Sequence, residues 1–454
     1  MSNNWKKTIL GDLIDIKHGF AFPGKGITSI ENQNLLITPG NFEIGGGFRS
    51  SKNKYFSGEV DENLLLSHGE IIISMTDLSK EGDTLGYSAK IPTNSHYQYL
   101  HNQRIGRVIS LNNDFHLDFI YWLMRSKNYR HWILSSATGS TVKHTSPKRI
   151  RSYEFLLPPI DEQKAIAHIL GTLDEKIELN KKTNETLEGI AKALFKSWFV
   201  DFDPVKAKGC STGLPKEISD LFPDSFEDSE FGKIPKGWKV SKISDICETT
   251  DYVANGSFAT LKENVQRVDI YKGTEAILLR FADFNKNWEK NFSYITQDSY
   301  NFLDKSKVFP GDLVVCNVGE VGNFFRAPDL GLPMSLGPNG VLLKDFSVKG
   351  NLSNPYFYFL LSTNSFQSKL QSISSGSVQT KFNKTELRGL STLVPPHNLI
   401  KVSTVFFSDS LSKKDKLFKQ NRILKNIRDT ILPNLISGKL RITDAEKIIE
   451  EVEI

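Results

Sequence analysis

The chain of 454 residues carries 57 Lys and Arg against 52 Asp and Glu, a formal charge of +5, with 39% hydrophobic and 24% charged residues. This length suits roughly two to four domains, and the apolar content excludes a disordered polymer. The mild basicity permits nucleic acid as a partner without requiring it. No run reaches the ~18 apolar residues of a membrane span, and no apolar signal core follows the opening Met-Ser-Asn-Asn-Trp-Lys-Lys. Neither membrane insertion nor secretion is expected, and the expected compartment is the cytoplasm. Cys210, Cys247 and Cys316 lie too far apart for a disulfide framework or a Cys-x-x-Cys metal pair.

In chain order, residues 1–157 read as a first mixed α/β globule. The apolar run 69–74 is bounded by Gly and reads as a buried strand, and 117–134 reads as helix. Pro158-Pro159 closes the globule, and Asp161 can cap the helix that follows. Over 158–200, Ile166, Leu170, Leu173, Ile177, Asn180, Asn184, Leu187, Ala191, Leu194 and Trp198 recur at alternating spacings of four and three, the seam of a coiled coil. About 40 residues at ~1.5 Å each make a rod of about 60 Å. Residues 201–237 are rich in Pro, Gly and acid and read as an extended linker. Residues 238–394 repeat the globule grammar, with a buried strand at 311–316 and helix over 355–373. After Pro395-Pro396, residues 395–440 read as a second long helix, with a seam of Phe407, Leu417, Asn421, Leu424, Ile431 and Leu435. Ser410, Lys414 and Arg428 interrupt that seam, and Pro433 is expected to kink or end it. Residues 441–454 read as a C-terminal tail.

The halves overlay. Gly139-Ser140 falls on Gly376-Ser377, Tyr121 and Leu123 on Tyr358 and Leu360, Arg151 on Arg388, Pro158-Pro159 on Pro395-Pro396, and Asn184 and Leu187 on Asn421 and Leu424. The starts match at slightly different offsets, Trp5 with Trp238 and the run at Gly69 with that at Gly311. A period this long is a duplicated module rather than a solenoid. Two apolar seams in one chain are buried most simply against each other. The expected fold class is therefore α+β: two mixed α/β globules separated by two long antiparallel coiled-coil helices, with a pseudo-two-fold internal repeat.

Duplex DNA has local two-fold axes, and paired readers contact two half-sites across them. Two similar but unequal heads suit two unequal half-sites. The candidate DNA-contacting residues are basic and amide side chains in expected loops: Thr76, Asp77 and Lys80, then Lys143, His144, Lys148 and Arg149 in the first globule, and Asn317, Asn323, Gln379, Thr380, Lys381 and Lys384 in the second. Arg and Lys suit guanine edges or phosphates, and Asn and Gln suit adenine edges.

Catalytic motifs are weak. Asn354-Pro355-Tyr356-Phe357 resembles the Asn-Pro-Pro-Tyr/Phe set of adenine methyltransferases with one proline missing, and reads as a helix start. Pro223-Asp224 with Glu230 and Lys233 has the wrong spacing for a nuclease, and Gly24-Lys25-Gly26 lacks the context of a phosphate loop. The histidines form no metal-ligand pattern. No catalytic residue, bound cofactor or metal is expected on this chain. The alternatives left are a self-contained adenine methyltransferase and a coiled-coil adaptor that binds protein.

Several segments carry a family resemblance: Leu157-Pro158-Pro159-Ile160-Asp161-Glu162-Gln163-Lys164, Leu173-Asp174-Glu175-Lys176-Ile177, Leu194-Phe195-Lys196-Ser197-Trp198-Phe199-Val200-Asp201-Phe202-Asp203-Pro204-Val205, Leu221-Phe222-Pro223-Asp224-Ser225-Phe226 and Ile436-Ser437-Gly438-Lys439-Leu440. The chain resembles the specificity subunit of type I restriction–modification systems along its whole length. It departs at His397-Asn398-Leu399-Ile400, where the family usually repeats Glu-Gln. The resemblance implies two target-recognition domains that read a bipartite, asymmetric double-stranded DNA site. It implies helices that dock methyltransferase subunits, one per half, with restriction subunits joining that core. S-adenosylmethionine would sit on the methyltransferase partner, and ATP and Mg on the restriction partner.

Overall fold

The structure is a computed structural model that describes residues 4–79, 81–93, 96–208, 213–269, 271–289, 292–346, 352–376 and 380–451. It divides into two compact units, Met1–Leu179 with Gln420–Ile454, and Asn180–Lys419. The division runs through both long helices, Ile160–Phe199 and His397–Ile436, each of 40 residues.

In the first unit a four-stranded antiparallel sheet has the order Ile14–His18, Ile105–Ser110, Ile71–Ser74, Ser88–Lys90. A five-stranded sheet has the order Ile27–Thr28, Lys54–Phe56, Asn34–Leu36, Gln98–Leu100, Leu65–Leu66. Its Asn34–Leu36 and Gln98–Leu100 strands are parallel. The second unit repeats both orders. Its four-stranded sheet runs Glu248–Asp251, Gly340–Lys344, Leu313–Cys316, Phe324–Arg326. Its five-stranded sheet runs Arg267–Val268, Ser293–Ile295, Ala276–Leu279, Met334–Leu336, Lys307–Val308, with the parallel pair in the same place. The duplication seen in the text is a duplication of topology.

The apolar runs 71–73 and 313–315 are continuous because both faces of these strands are covered. Ile71 and Ile73 join the helical core of the first unit, while Ile72 joins the core with Leu35, Tyr55 and Tyr99 from the second sheet. Leu313 and Val315 face the helical core of the second unit, and Val314 packs with Ile277 and Met334.

The long helices pair antiparallel within each unit. In the first, Ile166, Leu170, Leu173 and Ile177 share a core with Leu424, Ile427, Ile431, Leu432 and Leu435. Asn421 Nδ2 donates to the Ile177 carbonyl at 3.3 Å. In the second, Ala191, Phe195, Trp198 and Phe199 share a core with Phe407 and Leu411, and the Phe195 and Phe407 rings lie 5.6 Å apart. Asn180 is buried, while Asn184, Leu187, Leu194 and Leu417 are half-buried. Ser410 Oγ donates to the Leu187 carbonyl at 3.3 Å, and Lys414 pairs with Glu188. The strict repeat of four and three put Ser410 in the seam; the structure buries its neighbour Leu411, along with Ile427. A straight helix drifts relative to a heptad, so the contact stripe widens onto adjoining positions.

A charged cluster crosses the first unit's helix pair. Asp174 accepts from Arg125 and Arg428, each at 2.5 Å. Arg125 also donates to Tyr121 Oη (2.6 Å) and the Gly45 carbonyl (3.0 Å), and lies over the Trp122 ring. Burial alone would raise the Asp174 pKa, but the two guanidiniums hold it down at about 2. Removing one member of such a set leaves an uncompensated buried charge, worth about 3–5 kcal/mol.

Four segments differ from expectation. The helical stretches 117–134 and 355–373 are each broken into two short helices, Leu117–Leu123 with Lys127–Leu134, and Asn354–Leu361 with Asn364–Ser372. Ser126 and Thr363 cap the second helix of each pair and so set the break. The linker is folded: Asp203–Lys206 and Lys216–Ser219 are helical, and Phe226–Ser229 pairs with Gly232–Pro235 as a hairpin. Its Val205, Phe222 and Ile234 are buried against Trp198 and Trp238, which a loose connector could not do. The C-terminal tail contains the helix Ile442–Glu450, whose Ala445 is fully buried in the first unit. Pro433 stands in the last turn of its helix, which ends at Ile436.

The structure also accounts for the difference between Glu162-Gln163 and Leu399-Ile400. In the first unit Gln163 is buried, donating to the Pro158 carbonyl (2.7 Å) and accepting from the His116 amide (2.8 Å). Glu162 accepts from the Trp5 indole at 2.9 Å. In the second unit Leu399 and Ile400 are buried apolar residues at the equivalent positions, and the buried Trp238 indole nitrogen has no partner among the described residues. Polar struts have been replaced by packing. Gln163→Ile, which installs the second unit's residue in the first, is expected to destabilise by about 1–3 kcal/mol because it strands two backbone groups. Urea unfolding measures this, and an unchanged midpoint would show that the strut is dispensable.

Candidate nucleic-acid interface

In the first unit Gly106 pairs with both His18 and Ile73. The end of strand Ile14–His18, the start of Ile105–Ser110 and the end of Ile71–Ser74 therefore lie at one edge of the four-stranded sheet. Three loops leave that edge, and backbone hydrogen bonds join them to one another and to the 138–145 loop. The Gln103 amide donates to the Phe20 carbonyl (2.8 Å), Met75 to Arg104 (3.0 Å) and Thr145 to Met75 (3.0 Å). Lys143 and His144 then pair with Asp77 and Thr76. Thr138 and His144 exchange backbone bonds of 3.1 and 2.9 Å, closing a tight loop. Gly139 at its corner has φ +93°, and a Cβ there would lie 1.9 Å from the Val142 carbonyl oxygen, so the turn demands glycine.

The second unit builds the same ledge. Val341 pairs with both Asp251 and Val315. The Asn317 amide donates to the Asn339 carbonyl (3.3 Å), and Phe382 donates to Asn317 (3.1 Å). Ser375 and Lys381 exchange two backbone bonds of 2.9 Å, and Gly376 has φ +114°. The Gly319 amide donates to the Thr380 carbonyl at 2.8 Å. The loops picked out by the sequence are thus brought together in each unit.

Their side chains divide into two groups. Thr76 is buried and its hydroxyl lies 3.2 Å from His144 Nδ1. Asp77 is buried and accepts from the Ser79 and Thr84 amides (2.6 and 2.5 Å) and the Thr84 hydroxyl (2.5 Å). Burial would raise its pKa, but these donors lower it below the usual carboxylate value. Arg149 stacks on Trp132 at 3.4 Å and donates to the Trp132 carbonyl. Asn317 Nδ2 donates to the Phe382 carbonyl (3.2 Å), and Lys384 pairs with Asp251 at 3.0 Å. These groups hold the loops. Asn323 is exposed but bonded to Glu320 (2.9 Å). His144, Lys148 and Lys381 are exposed, and Lys143 and Thr380 are half-exposed. Lys80 and Gln379 lie outside the described residues.

Residue-type reasoning passed over the neighbours that share this ledge. His18, Phe20, Gln103 and Arg104 in the first unit and Asn339 in the second are all exposed. Asn339 stands on the rim of a cleft of about 350 Å³ lined by Phe281, Asn285, Val318 and Glu320. Only the pairing of the central strand, Ile105–Ser110 or Gly340–Lys344, brings these residues beside the others. Elsewhere, Asn354 opens a helix capped by Ser353, and its Nδ2 donates to the Gly311 carbonyl at 2.8 Å. Among the described residues no His, Cys, Asp and Glu cluster has metal-site geometry, and no helix is long and apolar enough to cross a membrane.

His101 anchors the first ledge from below. It is buried, its Nε2 lies 2.9 Å from the Ile105 carbonyl, and its own carbonyl accepts the Phe20 amide. Burial lowers its pKa from 6.5 to about 4. The unfolded chain thus binds a proton that the folded one refuses between those values, so stability is full above pH 6.5 and falls as the pH drops towards 4, by roughly 3 kcal/mol. Unfolding measured across that window should show this slope in the native chain and a flatter one in His101→Gln. Equal slopes would assign the acid sensitivity to another group.

Residues 2–189 match the family model for the type I restriction modification DNA specificity domain. The chain is 25% identical over 338 residues to the type I restriction enzyme MjaIX specificity subunit of Methanocaldococcus jannaschii, covering 72% of this chain and 70% of that one. It is 25% identical over 431 residues to the type I restriction enzyme HindI specificity subunit of Haemophilus influenzae, covering 80% and 87%. Its fold is similar to the crystal structure of the type I restriction–modification S subunit from M. genitalium, with a TM-score of 0.55, 17% identity and coverage of 96% and 97%. The duplicated topology, the helix pairing and these comparisons agree: the chain is similar over most of its length to type I restriction enzyme specificity subunits and shares the fold of one.

Proposed function

We propose that the chain reads a bipartite, asymmetric double-stranded DNA site, one half through each ledge, and supplies the address for chemistry performed by its partners. One observation carries this reading: the two units share one strand order and one loop ladder, yet the exposed side chains on that ladder differ. One framework with two sets of side chains suits two unlike half-sites. Lys143, His144, Lys148, Thr380 and Lys381 are the contact residues of this proposal, with Lys80 and Gln379 retained from the sequence. Lysines give salt-dependent phosphate affinity, and base-edge contacts give the sequence.

In this reading the long helices dock two methyltransferase subunits, which bring S-adenosylmethionine. Restriction subunits, using ATP and Mg, join that core in the cytoplasm. The chain itself performs no catalysis.

The test is exchange of residues 1–157 for the equivalent segment of another such subunit, followed by genome-wide methylation mapping with the partners present. One half of the methylated sequence should change and the other persist; a simultaneous change in both halves would refute the two-reader proposal. Lys143→Ala should weaken binding and reduce its salt dependence, and an identical salt slope removes that residue from the contact set.

A further inference from the structure

The two ledges can be aligned by hydrogen bonding rather than by sequence offset. Ile105 pairs with Ser74 in the first unit, and Gly340 pairs with Cys316 in the second. Each of these starts its central strand, and the residue before it is Arg104 or Asn339. The carbonyl of each accepts the amide of the residue that follows the neighbouring strand, Met75 or Asn317. The two therefore occupy the same backbone register.

Both side chains are exposed, and neither makes a side-chain hydrogen bond or ion pair among the described residues. Their backbones are nonetheless fixed. The Arg104 amide donates to Asn102 Oδ1 at 3.0 Å, and Asn339 is held at φ +73°, a conformation that asparagine tolerates better than most residues. Around them Thr76, Asp77, Asn317 and Lys384 are engaged within the protein. A free polar head on an immobilised backbone is what base readout requires.

We infer that Arg104 and Asn339 are equivalent specificity-determining residues, Arg104 reading a guanine in the half-site of the first unit and Asn339 an adenine in that of the second. The guanidinium offers two parallel donors that match guanine O6 and N7, and the carboxamide offers a donor and an acceptor that match adenine N6 and N7. The same register then reads different bases by exchange of one side chain. This rests on the proposed DNA reading.

The test uses the complex with its methyltransferase partner and a duplex carrying the mapped site. Each guanine of the first half-site is replaced in turn by 7-deazaguanine, which lacks the N7 acceptor, and each adenine of the second by 7-deazaadenine. With the native chain, one guanine and one adenine replacement should weaken binding, about 5- to 150-fold if the whole bidentate contact is lost. In Arg104→Ala the guanine effect should vanish while the adenine effect persists. In Asn339→Gly, which suits the positive φ, the reverse should hold. Equal weakening of all sequences by Arg104→Ala with a shallower salt slope would make it a phosphate contact and overturn the inference, as would no change with either variant. Both results leave the two-part site of the native complex standing. Failure of the globule exchange to alter one half alone would instead sink the functional reading.

Discussion

Antiparallel pairing of the long helices is the constraint on which the rest of the structure depends. Neither helix can bury its stripe alone. In the first unit the Ile166–Ile177 stripe is closed by Leu424–Leu435, and in the second Phe195 and Trp198 are closed by Phe407 and Leu411. Each fully buried Leu, Ile or Phe contributes about 1.5–3 kcal/mol. Apolar contact sets the strength of the pairing but tolerates sliding. The polar insertions do not: Asn421 reaches the Ile177 carbonyl, and Arg428 meets Asp174, which also receives Arg125 from the globule. One carboxylate thus ties both helices to the globule beside them, and a shifted register would leave the buried Arg125 and Arg428 without it.

From that base each unit presents a loop ledge made mainly by main-chain bonds. This arrangement separates shape from content. The Met75–Arg104 and Asn317–Asn339 bonds, and the closed loops at Gly139 and Gly376, depend on backbone geometry and on glycine, so side chains on the outer face can change without moving the frame. The groups that hold the frame are internal: Asp77 bonded to the 79–84 turn, Arg149 on Trp132, Lys384 with Asp251. A loop surface of this kind can differ between the two copies while both remain foldable.

The copies have diverged inside as well. Glu162 and Gln163 bond Trp5, Pro158 and His116, whereas Leu399 and Ile400 fill the same places with hydrocarbon. Either solution supports the first turn of a long helix; the Trp238 indole nitrogen has no partner among the described residues, whereas that of Trp5 is held by Glu162.

The sequence by itself determined the duplication, the buried strands at 71–73 and 313–315, the two long helices and most of their seam, because these are written in periodicity and in repeated spacing that no distant contact has to supply. It also marked the glycine-cornered loops. Tertiary structure decided which loop residues face outward. Thr76, Asp77 and Arg149 look like contact residues by type, yet their partners, His144, Thr84 and Trp132, come from other turns of the chain. Arg104 and Asn339 are unremarkable in the text and are placed on the ledge only by pairing of the strands they precede. The folded linker and the C-terminal helix were likewise settled by burial of Phe222 and Ala445 against distant residues, since polar, proline-rich text carries no period of its own.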